Sequence, residues 1–233
     1  MNHSYRLLCF GDSNTFGWIG SLNGTTRRYP RNIRWTGRLA HQLGPQWEVI
    51  EEGLGGRTIR DQFTVGTDIT LAGAGLNGKE YLPACLLSHL PLDVVLIMLG
   101  SNDMKSALGR SAESIAEGME ELVDLILSKP WASLLDYPAP RILIVSPPYI
   151  GSRKMELAGA RYIGAPEKSR QLGALYADIA ARKGIDFFDA AEALISEPAG
   201  EAHGIDGMHL DETDHLLLAT TLFDKLQKMN TEV

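Results

Sequence analysis

Short apolar runs alternate along the chain with longer amphipathic stretches, which is the pattern of a parallel sheet with crossover helices. Five of these runs have the length of strands: 5–10, 47–50, 93–99, 142–145 and 185–188. The run 93–99 is continuously apolar, as expected of a central strand that is buried on both faces. Periodicity and end signals predict helices at about 34–43, 111–128, 166–183 and 211–229, the last with Asp211 or Thr213 near its cap.

This order of elements predicts an α/β fold in a single domain covering residues 1–233. We expect a three-layer, flavodoxin-like architecture, in which a five-stranded parallel sheet carries helices on both faces. Two stretches, 60–79 and 149–165, match no simple element. Loops of this length in a compact domain usually serve a function or pack against a partner.

Composition narrows the classes of partner. The chain has 233 residues, a net charge of −7 and no block of basic residues, which argues against nucleic acid or an anionic membrane surface. No apolar run is long enough to span a bilayer. The apolar run 5–10 is short, follows no basic segment and leads into Gly-Asp-Ser, so we expect a cytoplasmic protein. Cys9 and Cys85 are predicted to be reduced packing residues.

Polar motifs follow the predicted strands, where ligands of such sheets bind. They are GDSN at 11–14, GLGG at 53–56, GSND at 100–103 and DGMH at 206–209. Together these motifs supply a hydroxyl, an imidazole with a nearby carboxylate, an amide and flexible backbone N–H groups. That set is sufficient for acyl transfer through a serine nucleophile.

The chemistry assigns a role to each motif. Ser13 is the candidate nucleophile, and His209 is the base that removes its proton. Asp206 stands three residues before His209, so one short loop supplies the base and the carboxylate that orients its ring. His203 is the rival base, and it lacks a carboxylate at this spacing. The candidate oxyanion donors are the N–H groups of Ser13 and Gly56 and the side chain of Asn102.

Structural alternatives exist for each motif taken alone. Ser13 and Asn102 are also suitable helix caps, and Asp206 with His209 also fits a solvated turn. Phe16 and Trp18 either line an acyl pocket or pack beneath the loop.

Other site types lack their motifs. The chain has neither the G-x-x-x-x-G-K-[ST] phosphate loop nor the G-x-G-x-x-G dinucleotide motif. It also lacks H-E-x-x-H and a paired Cys/His motif, so we expect no metal and no cofactor. Asp12 and Asp103 are predicted to be structural, bonding the N–H groups of their turns.

The four motifs, in this order, resemble the blocks of the SGNH hydrolases, whose signature is GDSL, and the resemblance covers nearly the whole chain. It implies the SGNH fold, Ser13, Asp206 and His209 as a triad, and Ser13, Gly56 and Asn102 as oxyanion donors. CFGDSNTFGW, RWTGRLAHQLG and YLPACLLSHLPLDVVLIMLGSND look like the arylesterase/acyltransferase branch. Asn14 replaces the usual Leu after the nucleophile and leaves the preference of the acyl pocket open.

The resemblance implies a serine esterase that cleaves small acyl or aryl esters through an acyl-enzyme, with acyl transfer or perhydrolysis as variants of the reaction. It also implies a small-molecule ester as partner. Asn14, Phe16 and Trp18 are the candidates for the substrate pocket. A homo-oligomer is expected, with 60–79 and 149–165 as candidate contact surfaces. The alternatives are a carbohydrate acetyl esterase of the same fold and a non-catalytic flavodoxin-like binding module.

Overall fold

Five parallel strands form one sheet in the computed structural model, which describes residues 4–22, 27–61, 76–194 and 204–231. The strands are β1 (Tyr5–Gly11), β2 (Trp47–Gly53), β3 (Val94–Met98), β4 (Arg141–Val145) and β5 (Asp186–Phe188). Their order across the sheet is β2-β1-β3-β4-β5, and all four neighbouring pairs are parallel. This is the flavodoxin-like order, so the predicted fold class is confirmed.

Helices connect the strands and cover both faces of the sheet. They are α1 (Ser13–Phe16), α2 (Trp35–Leu43), α3 (Gly78–His89), α4 (Ala112–Leu127), α5 (Ser152–Ala158), α6 (Ala165–Lys183), α7 (Ala190–Ala193) and α8 (Glu212–Thr231). Short 3₁₀ helices occur at Ser106–Leu108 and Gly159–Tyr162.

The alternation of side chains along each strand divides the core into two layers. Leu8 and Phe10 of β1 lie in the layer formed with α3, α4 and α6. Leu7 and Cys9 lie in the opposite layer, with α2 and α8. Both cysteines are buried and unpaired, as predicted.

Two of the differences from the predicted elements lie close to the ends of strands where ligands bind. β2 continues to Gly53, because its polar last residues pair in register with Cys9–Gly11 of β1. The stretch 149–165 was predicted to lack an element, and that is wrong, since it contains α5 and a 3₁₀ helix. α5 has no fully buried residue and so has no clear apolar periodicity to detect. Most of the other stretch, residues 62–75, lies outside the described residues.

Candidate active site

Ser13 begins the one-turn helix α1, directly beyond the carboxyl end of β1. Asp12 caps this helix, since its Oδ1 accepts a hydrogen bond of 2.9 Å from Asn14 N. A β-carbon at Gly11 would lie 2.1 Å from Thr15 Oγ1, so glycine is required for the chain to turn so sharply. The sequence therefore holds the Ser13 hydroxyl at the edge of the sheet where ligands of this fold bind.

The loop before α8 brings an imidazole and a carboxylate to this hydroxyl. His209 Nε2 lies 3.0 Å from Ser13 Oγ, and His209 Nδ1 lies 2.6 Å from Asp206 Oδ2. Ser13 and His209 are 196 residues apart in the chain, and all three side chains are largely buried. The three residues predicted as a triad thus form one continuous hydrogen-bonded series.

The backbone of the same loop fixes the carboxylate. Asp206 Oδ1 accepts hydrogen bonds from Met208 N at 3.2 Å and His209 N at 2.9 Å, leaving Oδ2 for the imidazole. Gly207 makes the turn possible with a φ of 71°, in the left-handed region. Burial by itself raises the pKa of Asp206, but the hydrogen bonds from His209 and the charge of Lys154 bring this pKa well below its usual value.

Lys154 is a polar neighbour of the predicted triad that no sequence motif indicates. Its Nζ lies 3.2 Å from Asp206 Oδ2, the same oxygen that His209 contacts, and its side chain is 14% exposed. Lys154 belongs to α5 and is 52 residues from Asp206 in the chain. Neither motif nor spacing connects the two residues, so only the fold reveals the contact.

Asn102, a predicted oxyanion donor, is held by one hydrogen bond that it accepts and one that it donates. Its Oδ1 accepts a hydrogen bond of 2.7 Å from Lys105 Nζ, and its Nδ2 donates one of 3.1 Å to Arg57 O. The ammonium of Lys105 thus fixes which end of the amide is oxygen. Nδ2 also lies 3.5 Å from Asp12 Oδ2, a contact too long to be strong. The amide nitrogen is oriented while one of its two N–H groups remains weakly engaged.

The glycine loop after β2 lies against Ser13. A β-carbon at Gly55 would lie 4.0 Å from Ser13 Cβ, and Gly56 has a φ of 86°. Within the described parts of the chain, the N–H groups of Ser13 and Gly56 donate no hydrogen bond. Arg57 secures this loop, because its guanidinium donates to Gly11 O at 3.1 Å and to Glu52 O.

A known family model covers most of the chain. Residues 9–215 match the model of the GDSL-like lipase/acylhydrolase family. The chain belongs to this family. It is therefore an SGNH esterase, as the motifs predicted. A comparison with curated proteins found no match.

Several solved structures are similar to this esterase over nearly its whole length. A carbohydrate acetylesterase from Sinorhizobium meliloti is 38% identical, with a TM-score of 0.86 over 97% of this chain and 99% of that chain. An aryl esterase from M. smegmatis is 37% identical, with a TM-score of 0.85 over 96% of this chain and 99% of that chain. A second carbohydrate acetylesterase family member from S. meliloti is 33% identical, with a TM-score of 0.81 over 97% of this chain and 98% of that chain.

Asn14 of the esterase is engaged with the histidine loop. Its Oδ1 accepts a hydrogen bond of 3.1 Å from Leu210 N, and its Nδ2 donates one of 3.3 Å to Met208 O. These two residues flank His209, and Asn14 is only 1% exposed. The amide is thus used within the protein, although the sequence analysis assigned Asn14 to the substrate pocket.

The two predicted pocket aromatics have different surroundings. The Trp18 ring stacks on the His209 ring at a centroid distance of 6.0 Å and lies over Gly55, next to the candidate base. The Phe16 ring is covered by the Arg28 guanidinium, 4.2 Å from its centroid. Trp18 is the better candidate for contact with substrate.

Other predicted polar residues serve the fold. Asp103 Oδ1 accepts from Ile59 N at 2.9 Å, and burial raises the pKa of Asp103 to about 7. Burial also raises the pKa of Asp12, against the hydrogen bond from Asn14 N and the nearby cations. His203, the rival base, lies outside the described residues.

A separate cavity of about 1020 Å³ lies beside α2. Its lining includes Arg31, Arg38, His41, Trp47 and Leu216, and none of the residues of the candidate active site. This cavity is therefore separate from the candidate active site.

Proposed function

We propose that the esterase hydrolyses small acyl and aryl esters through an acyl-enzyme on Ser13. The observation that supports this most directly is the unbroken series from Ser13 Oγ through the His209 ring to Asp206 Oδ2. In this mechanism Nε2 takes the hydroxyl proton as Oγ attacks the ester carbonyl. The same proton then passes to the departing alcohol or phenol. Water, activated in the same way, releases the acid.

The oxyanion formed in each attack is bound, in this proposal, by Ser13 N–H, Gly56 N–H and the Asn102 amide. The two backbone N–H groups have no partner within the described residues, which supports this role. The Asn102 amide is already oriented by Lys105, so little reorganisation is needed when charge develops on the substrate. Such preorganised donors are commonly the largest single contribution to catalysis.

A carbohydrate acetyl ester is the second candidate substrate class, favoured by the 38% identity to an acetylesterase of that kind. The chemistry at Ser13 is the same for both candidates, and only the alcohol differs. Resemblance to the arylesterase/acyltransferase branch supports a further proposal, that an alcohol or peroxide can replace water as acyl acceptor.

The nucleophile is tested with Ser13→Ala. We expect the variant to keep the thermal midpoint of the wild type and to lose hydrolysis of p-nitrophenyl acetate by about 10⁴-fold or more. A fluorophosphonate probe should label the wild type and leave the variant unlabelled. Ser88→Ala, at an exposed position of α3, is the matched control and should behave as wild type. Retained turnover or labelling in Ser13→Ala would disprove the assignment.

The substrate class is tested with a panel of esters in which acyl length and leaving group vary separately. We expect acetyl and propionyl esters to exceed long-chain esters in kcat/KM, because Trp18 lies next to the candidate base. Efficient hydrolysis of palmitoyl esters would contradict this. Release of acetate from acetylated sugars, compared with phenyl acetate, separates the two candidate classes. Added alcohol or peroxide measures acyl transfer.

We also propose that the esterase is a cytoplasmic homo-oligomer. Exposed apolar side chains support self-association: Leu157, Ile163 and Ile205 are 42%, 61% and 58% exposed near the loop of the proposed triad. Across the described residues, no helix is both long and apolar enough to cross a membrane. Light scattering on the purified protein measures its mass, and a monomer at working concentrations would contradict assembly.

A further inference from the structure

Three side chains outside the proposed active site bring a carboxylate, a thiol and an imidazole together. They are Glu52 at the end of β2 and Cys85 and His89 of α3, and one donor atom from each lies within 4.8 Å of the other two. His89 Nε2 is already 2.9 Å from Glu52 Oε1. Ester hydrolysis as proposed above makes no use of this cluster.

The helix gives the cluster its geometry. Cys85 and His89 are four residues apart, so α3 presents both on one face, next to β2. The sequence analysis considered only paired Cys/His motifs, and here the third donor comes from a distant strand. The spacing Cys-x-x-x-His was visible in the sequence, but Glu52 is joined to it only by the fold.

The donor set indicates the kind of ion. Sulfur, imidazole nitrogen and one carboxylate oxygen are ligands that Zn²⁺ accepts together, whereas Mg²⁺ and Ca²⁺ prefer oxygen alone. Ligand bonds of about 2.0–2.3 Å place tetrahedral donors roughly 3.3–3.8 Å apart, so the present spacing needs an adjustment of about 1 Å. Glu52 and His89 are 20% and 27% exposed, which gives their side chains room to move and leaves a way in for the ion.

One neighbouring group of the cluster favours the binding of a cation, and another opposes it. Tyr81 OH donates to Glu52 Oε2 at 3.3 Å and orients the carboxylate. Arg57 Nη2 lies 4.0 Å from the same oxygen, and its positive charge opposes a cation. Ionisation of Cys85 on binding supplies a negative charge that offsets this repulsion. The thiol proton leaves to solvent and the imidazole proton moves from Nε2 to Nδ1, so one proton is released for each ion bound.

We propose that Glu52, Cys85 and His89 form a Zn²⁺ site with a fourth position open to water. This site is separate from the proposed triad and does not depend on the proposed function. Arg57 lies between the two, since its guanidinium contacts Glu52 and its backbone oxygen accepts from Asn102. Binding, however, is measured without reference to ester hydrolysis.

The test is a titration of the full-length protein with Co²⁺, which substitutes for Zn²⁺ and absorbs light when bound to thiolate. We expect a near-ultraviolet charge-transfer band that saturates at one ion per chain and disappears when Zn²⁺ is added. Cys85→Ser should abolish the band. Cys9→Ser is the matched control, since Cys9 is the other buried cysteine and lies in the opposite core layer, and it should keep the band.

His89→Gln provides a second test at a partly exposed position, where folding is not at risk. We expect at least about a tenfold loss of Zn²⁺ affinity by competition titration, and loss of the thermal stabilisation that Zn²⁺ gives the wild type. His41→Gln on α2 is its control. Absence of the charge-transfer band in wild type would overturn the proposal, as would a band that persists in folded Cys85→Ser or an unchanged affinity in His89→Gln.

Discussion

Replacing Lys154 with Met tests how the charge beside the proposed triad sets the pH range of the esterase. Lys154 Nζ and His209 Nδ1 contact the same oxygen of Asp206, at 3.2 and 2.6 Å. The ammonium therefore offsets part of the carboxylate charge that stabilises the imidazolium formed during attack. Methionine keeps an apolar stem of similar length and removes the ammonium, together with its hydrogen bond to Asp206 and its contact with the Tyr162 ring.

The size of the effect follows from these distances. The shared oxygen keeps Nζ within about 6 Å of Nδ1, where two unit charges repel by about 0.7 kcal/mol in water and about 3 kcal/mol at an effective dielectric of 20. One pH unit corresponds to about 1.4 kcal/mol. The loss of Lys154 should therefore move the acid limb of the rate profile by roughly 0.5–2 pH units. The Asp12, Lys105 and Arg161 side chains remain in the variant. Burial lowers the pKa of Lys105 to about 8 and the charge of Lys154 contributes to this, so only the acid limb of the rate profile is compared.

The assay is kcat/KM for p-nitrophenyl acetate from about pH 5 to 9, followed at a wavelength where the product absorbs equally in both ionisation states. Because a base works only when unprotonated, the acid limb of Lys154→Met should move to higher pH by the stated amount. Lys154→Arg keeps the charge and should keep the limb. A limb that stays in place, or moves to lower pH, would refute the electrostatic argument, and a uniform fall in rate would indicate a structural role only.

Two further substitutions test contacts away from this charge. Asn14→Leu removes both hydrogen bonds to the residues flanking His209, each of which contributes about 0.5–1.5 kcal/mol. We therefore expect kcat to fall about tenfold to a hundredfold while KM stays nearly unchanged. A raised KM with a normal kcat would instead indicate that Asn14 lines the substrate pocket. Burial raises the pKa of Glu51, but the hydrogen bonds from Arg34 and Thr36 have the larger combined effect. The pKa of Glu51 therefore lies below its usual value of 4.5. Glu51 therefore stabilises the fold above that value and loses this effect as the pH falls. The thermal midpoint of Glu51→Gln should lie below that of wild type at pH 7, and the difference should shrink at acidic pH. A difference that stays constant with pH would show that the ionisation of Glu51 does not contribute to stability.

The sequence contained the fold and the chemical groups of the proposed site, because both depend on short-range patterns. Apolar runs located all five strands, and polar motifs at their ends located Ser13, Asn102 and His209. Contacts between residues that no sequence pattern connects could not be predicted. Lys154 lies in α5, a helix with no fully buried residue, and so carries no signal of its position beside Asp206.

Asn14 illustrates the same limit for a residue whose position in the sequence was informative. Its place after Ser13 suggested contact with the acyl group, because neighbours of a nucleophile often line the pocket. The direction of its side chain is set by the turn of α1, which points the amide at residues 194 and 196 positions away. A sequence motif fixes proximity along the chain, and the backbone turn decides which partner the side chain meets.

These long-range contacts have a consequence for how the proposed activity depends on folding. The end of β1 carries Ser13 and Asn14, while the loop before α8 carries Asp206 and His209, and the two are joined by hydrogen bonds on either side of the imidazole. Neither part positions the base alone, since the loop needs the amide of Asn14 and the sheet must be complete for β1 to present it. A perturbation that separates α8 from the sheet would abolish the proposed proton transfer even with every predicted triad residue intact. The active geometry is therefore a property of the closed fold rather than of any one motif, which is why the four motifs carry meaning only together and in order.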